Sequence, residues 1–156
     1  MMLDAITGLL EREVIVALVT ELFVATDRKD WPAVTRVFSP EVRFDMSSAG
    51  AGPERSVSPE SIVAGWQTGL EPIEQVHHQV GNFVVHIHGQ RAQVSCYGIA
   101  YHFRSRRDGR NTRTFVGSYD FELDQLETGW AIRAMRFNLK FIDGNAALEA
   151  PETDLP

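Results

Sequence analysis

The stretch QVHHQVGNFVVHIHGQ, residues 75–90, decides the fold of this chain. It opens the first of four long runs, at 75–88, 91–106, 111–126 and 129–142. All four are rich in Val, Phe, Tyr, Ile and Thr, the composition of β-strands. The segments between them, HGQ, RRDGRN and ETG, suit hairpin turns. An antiparallel meander is therefore expected from residue 75 onward.

Upstream the pattern is helical. Leu10, Val14, Leu18 and Leu22 recur every four residues, with Ile15 and Ala25 beside them. A second apolar row of Val16, Val19 and Phe23 widens the arc, so the helix is expected to be covered on more than one side. Asp27 continues that second row at the end of the helix. Asp30 is placed to cap a second, shorter helix with Pro32 in its first turn, and Pro40 is expected to end it. VRFD, residues 42–45, alternates like a short strand, and MSSAGAGPERS reads as a loop. SPESIVAGWQTG, residues 58–69, reads as a third helix, capped by Ser58 and ended by Gly69. Helices followed by a meander make an α+β domain, with the helices on one face of the sheet. Residues 1–144 are read as that single domain, and 145–156 as a loose acidic tail.

The chain has 156 residues, the size of one domain, and 44% of them are hydrophobic, enough for a core. The formal net charge of −6 argues against a nucleic-acid partner. Cys96 is the only cysteine, which excludes an internal disulfide framework and disfavours a Cys-based zinc site. The first residues lack a basic targeting region, and no run reaches the ~20 apolar residues of a membrane span. A soluble, cytoplasmic protein without a membrane partner is the expectation.

Residues 75–90 hold four of the five histidines, as the pairs His77–His78 and His86–His88. On one strand His78 and His86 would lie roughly 26 Å apart, so no single ion joins the pairs. His86 and His88 sit by the turn, where exposure is the simpler expectation than a metal. Neighbours on a strand face opposite ways, so one of His77 and His78 looks inward. The hairpin returns His102 toward them. A two-residue turn at Gly89–Gln90 would pair His77 with His102; a three-residue loop, 89–91, would pair His78 with it, and tighter turns around His88–Gly89 would shift the match by two or three more. One residue of slip exchanges the faces, and the sequence leaves the register open. A carboxylate that fixes the ring would complete a catalytic pair. Asp27 is the candidate, against the simpler reading of a solvated helix end.

The order and spacing of ATDRKDWPAVTRVFSPEVRFD, VHHQVGN, IAYHFRSR and ETGWAIRAMRFNLKF resemble SnoaL-like domains of the nuclear transport factor 2-like superfamily, scytalone dehydratase type. The resemblance covers roughly residues 10 to 143. It implies a cone-shaped α+β barrel and, by position, a catalytic set of Asp27, His78 and His102. It selects His78 over His77. Scytalone dehydratase, hexachlorocyclohexane dehydrochlorinase and bile-acid dehydratase use a similar Asp–His pair without metal or organic cofactor, so none is implied here. Thr26, Met46 and Leu22 stand where such relatives carry tyrosines, which puts their substrates in doubt.

The resulting expectation is a cofactor-independent lyase, dehydratase-like, acting on a small hydrophobic or polycyclic substrate in an enclosed apolar pocket. His78, held by Asp27, would remove a proton beside a carbonyl, and His102 would protonate the leaving group. Phe44, Met46, Trp66, Tyr101, Tyr119 and Asn138 are the candidates for the substrate-binding wall. An isomerase or polyketide cyclase would use the same pair. A non-catalytic binding or assembly module of the same fold is the rival from another class. The arginine-rich RSRRDGRNTR, residues 104–113, reads as a solvated hairpin tip, with an anion site as the alternative. By resemblance the chain forms a homodimer or homotrimer.

Overall fold

The computed structural model describes residues 1–152. Helix α1 spans Met2–Asp27 and buries Ile15, Val19, Leu22, Phe23 and Ala25. The first four follow the i, i+4, i+7, i+8 spacing of one helix face, and Ala25 flanks it. The face begins only at Ile15: Leu10 and Val14, which the sequence row places in the core, are exposed because the first half of α1 projects beyond the sheet. Asp30 caps α2 (Trp31–Arg36) as expected, its carboxylate accepting from the Ala33 N–H at 3.1 Å.

Pro40 does not end α2. The helix stops at Arg36, and Pro40 lies inside strand β1, Phe38–Asp45. The pairing of β1 slips between Phe38 and Arg43, so the missing N–H of Pro40 falls where the ladder is already irregular. The glycine-rich loop contains a short strand, β2 (Arg55–Val57), which pairs with β1. Helix α3 runs Pro59–Leu70 from its Ser58 cap, passing Gly69, and Pro72 lies just beyond it.

The meander supplies β3 (Gln75–His88), β4 (Arg91–Phe103), β5 (Thr112–Leu126) and β6 (Gly129–Gly144). The sheet order is β2-β1-β6-β5-β4-β3, antiparallel except for β1 against β6. Two register shifts between β5 and β6 each add one residue to β6, and a third shift interrupts β3. Such bulges raise local twist and bend a strand. The sheet therefore curls around α1 without closing, and its inner face carries the core.

The segment after β6 is not loose through residue 152. Leu148 is fully buried against Ile73 and Val76. Arg104 and Arg106 donate to the carbonyls of Leu148 and Ala150, and Arg107 bonds Glu152. Residues 153–156 of the expected tail lie outside the described residues. The same contacts correct the reading of the arginine-rich hairpin. Arg107 and Arg110 are exposed, but Arg106 and Arg113 are almost fully covered by the acidic strap.

Candidate active site

Strand β3 is an edge strand, so alternate N–H groups have no partner strand. Asp27, the last residue of α1, takes one of them: its Oδ2 accepts from the His78 backbone N–H at 2.8 Å. Its Oδ1 lies 2.6 Å from His78 Nδ1. A carboxylate only accepts, which puts a proton on Nδ1 and leaves Nε2 as the free nitrogen of the ring. Lys29 pins the end of α1 by donating to the Leu70 and Ile73 carbonyls, each at 2.9 Å. Two independent contacts thus hold Asp27 beside the start of β3.

The choice between His77 and His78 is made by a bulge. The turn is two residues, Gly89–Gln90, with His88 opposite Arg91. That register alone would put His77 opposite His102. Between Gly81 and Val84, however, Asn82 and Phe83 face the single residue Cys96, and Asn82 has φ 55°. The extra residue shifts every pair beyond it by one. His78 lies opposite Ala100, His77 opposite Tyr101, and His102 opposite Val76. Neither pairing offered by the turn lengths occurs. Opposed residues share a face, so His78 and His102 are diagonal neighbours on the inner face, while His77 and Tyr101 point outward and are exposed.

His102 has a partner that sequence reading did not assign. Arg113 stands directly opposite it on β5, and Arg113 Nη2 lies 3.1 Å from His102 Nδ1. Arg113 in turn bonds Glu149 of the C-terminal strap, with Nη1 to Oε2 at 2.6 Å and a second bond from Nη2 to Oε1. Burial, then the Arg113 and His78 charges, push the His102 pKa down to about 4 against the pull of Glu149 and Asp27. Burial opposes ionisation of Glu149, but the bonds from Arg113 still hold its carboxyl below the usual range. A sequence signal for this strap existed: five arginines at 104–113 and an acidic segment after β6 are complementary in charge.

These groups border a cavity of about 360 Å³. His78, His102 and Glu149 are among its polar lining, and Phe23, Phe115, Met135 and Phe137 are among its apolar wall. Of the expected wall residues, Met46, Trp66 and Tyr119 line it. Phe44 sits behind, its ring 6.0 Å from Trp66. Tyr101 and Asn138 do not reach it. Tyr101 lies on the outer face, and Asn138 turns outward to bond Ser118 and Asp120. Both misses follow from strand alternation, since Ala100 and Phe137 hold the inward positions. Asp27 stands behind His78.

Tyr119 owes its place to Gly98, directly beneath its ring on β4. A Cβ there would come within 2.3 Å of the ring. Burial pushes the Tyr119 hydroxyl above its ordinary pKa, so it stays protonated. It has no hydrogen-bond partner among the described residues, which leaves a phenol donor where Thr26 and Met46 supply none. His86 and His88 are exposed beside the turn. Among the described residues no group of three His, Cys, Asp or Glu side chains is arranged to hold a metal ion. No helix of the described residues is long and apolar enough to cross a membrane.

A strongly curved, mainly antiparallel sheet with the N-terminal helices packed on it defines the fold class. The SnoaL-like domain family matches residues 7–136, and this chain belongs to it. Among solved structures, the Kfla4162 protein of Kribbella flavida superposes with a TM-score of 0.87 at 22% identity, over 92% of this chain and 99% of that one. A provisionally assigned aromatic ring hydroxylase from Novosphingobium aromaticivorans gives 0.78 at 25%, over 90% and 97%. A provisionally assigned scytalone dehydratase from the same organism gives 0.79 at 11%, over 90% and 91%. Comparison with curated proteins finds no match.

Proposed function

We propose that this chain is a cofactor-independent, dehydratase-like lyase acting on a small hydrophobic or polycyclic substrate. The observation that carries this is the Asp27–His78 pair, oriented by two bonds and presented to a mostly apolar cavity. His78 Nε2 is the general base. It takes a proton from carbon beside a carbonyl, and Asp27 stabilises the resulting imidazolium. An apolar wall keeps water from competing for these groups. Similarity in fold to a protein provisionally assigned as a scytalone dehydratase supports the reading. An isomerase or polyketide cyclase would begin with the same proton transfer.

A second reading is a binding or assembly module of the same fold without chemistry of its own. The discriminating assay is turnover of a panel of cyclic β-hydroxy ketones by wild type, Asp27→Asn and His78→Ala. Turnover lost in both variants supports the lyase; turnover retained in both removes the proposed roles. We further propose a homodimer or homotrimer in the cytoplasm. Val84, Tyr97 and Tyr101, exposed on the outer face of the sheet, suit an interface between copies. Light scattering after gel filtration measures the mass of the assembly.

A further inference from the structure

The two histidines of the pocket use the same ring atom in opposite ways. His78 Nδ1 meets a carboxylate, whereas His102 Nδ1 meets a guanidinium. A guanidinium has only donors and keeps its charge in proteins. His102 Nδ1 must therefore accept, and a ring that accepts at Nδ1 is neutral with its one proton on Nε2. We propose that Arg113, held by Glu149, is a positioning residue that fixes His102 as a neutral Nε2–H donor, and that this donor binds the substrate oxygen that becomes negative during elimination. The tautomer stands on the ring geometry alone; the oxygen-binding role rests on the lyase reading above.

The clamp is built into the register. Arg113 is the direct cross-strand neighbour of His102, and only 7% of it is exposed. Its guanidinium lies over the Phe115 ring at 4.7 Å, and His102 packs edge-on against the same ring at 5.3 Å. Nη2 carries two hydrogens, one for Glu149 Oε1 and one for His102 Nδ1. Without Glu149 the guanidinium would be a buried charge lacking its counter-ion, a costly state. No partner for His102 Nε2 exists among the described residues, and the ring lines the cavity.

This assigns the protons differently from a leaving-group acid at His102. A neutral imidazole N–H is too weak an acid to surrender its proton at neutral pH. The C–H bond breaks, and its proton passes to His78 Nε2. The electron pair moves onto the carbonyl oxygen, where His102 Nε2–H stabilises it. The pair then returns, the C–O bond breaks, and the departing hydroxyl takes the proton held by His78 and leaves as water. Both rings end as they began. The substrate class is therefore a β-hydroxy carbonyl compound, its carbonyl toward β4 and its hydroxyl within reach of His78.

The test is ¹⁵N long-range NMR of the histidine rings in the full chain without substrate, with His102 assigned by its absence in His102→Gln. Groups facing His102 are Arg113, Glu149, His78 and Asp27. The expected spectrum shows a bare Nδ1 and a protonated Nε2, unchanged from about pH 7 to about pH 5. A protonated Nδ1, or titration near the ordinary histidine value, overturns the clamp. Arg113→Met is expected to raise the titration of His102 by about one pH unit or more, and Arg113→Lys to lower it again. A titration unmoved by Arg113→Met also overturns the clamp; if that variant does not fold, the wild-type spectrum decides. This readout needs no turnover, so it can fail or stand independently of the lyase assay. Should Arg113→Met leave turnover of the β-hydroxy ketones unchanged, the oxygen-binding role falls while the tautomer stands.

Discussion

The two ends of the pocket were assembled from the same residue type and came out with opposite chemistry. At the α1 end, Asp27 accepts from Nδ1 of His78 and leaves its far nitrogen without a proton. At the strap end, Arg113 occupies the near side of His102 and leaves its far nitrogen a donor. A single histidine would have to alternate between those states. In the proposed reaction, two rings with fixed partners divide proton removal from charge stabilisation, and each partner arrives from outside the strand that carries the ring.

The strongest way to break this division is at the base. Asp27→Asn and His78→Ala should each lower turnover by about 10²–10⁴-fold, measured as kcat on β-hydroxy ketones, with folding checked by circular dichroism. The second largest effect is at the strap. Leu148 is fully buried, so Leu148→Ala should cost about 2–3 kcal/mol in urea unfolding. It should also loosen Glu149 from Arg113 and shift the His102 ring signals.

Acid sharpens the same comparison. The pKa of folded His102 is depressed to about 4. Between there and the ordinary value near 6.5, the unfolded chain binds a proton that the folded chain does not. Stability therefore rises with pH across this window. The contribution of His102 is fully present above about pH 6.5 and is lost as pH falls toward 4, to a total of up to roughly 3 kcal/mol. Unfolding free energies at pH 7 and pH 4.5 should show this slope in wild type and a flatter one in His102→Asn. The smallest effect concerns the bulge. Asn82→Val forces a β-branched residue into positive φ and should cost about 1–2 kcal/mol, whereas Asn82→Gly should be close to neutral, both read by urea unfolding.

Much of the frame was legible because it is written in local chemistry. Hairpin punctuation marks the four long strands, Asp30 and Ser58 mark helix starts, and the helix-end position of Asp27 follows from spacing. What escaped depends on residues that leave no local mark. Asn82 carries no sign of a bulge, yet one extra residue there moves His102 from His77 to Val76. Tyr101 and Asn138 were misplaced because an aromatic or an amide on a strand does not disclose its face. Arg113 looked like one more arginine of an exposed hairpin. Its burial depends on a segment thirty-six residues away in sequence.

Translation makes that segment after every strand it serves. The family match ends at residue 136, and the last strand at Gly144. A chain cut at Gly144 would keep all six strands, the Asp27–His78 pair and both histidines, yet leave Arg113 without its counter-ion. During synthesis the pocket passes through that same unfinished state. The sheet can form first, and the electrostatics of His102 mature only when Glu149 has emerged and Leu148 has found its socket. A tag fused close behind residue 152 therefore sits a few residues from the Glu149 that holds Arg113.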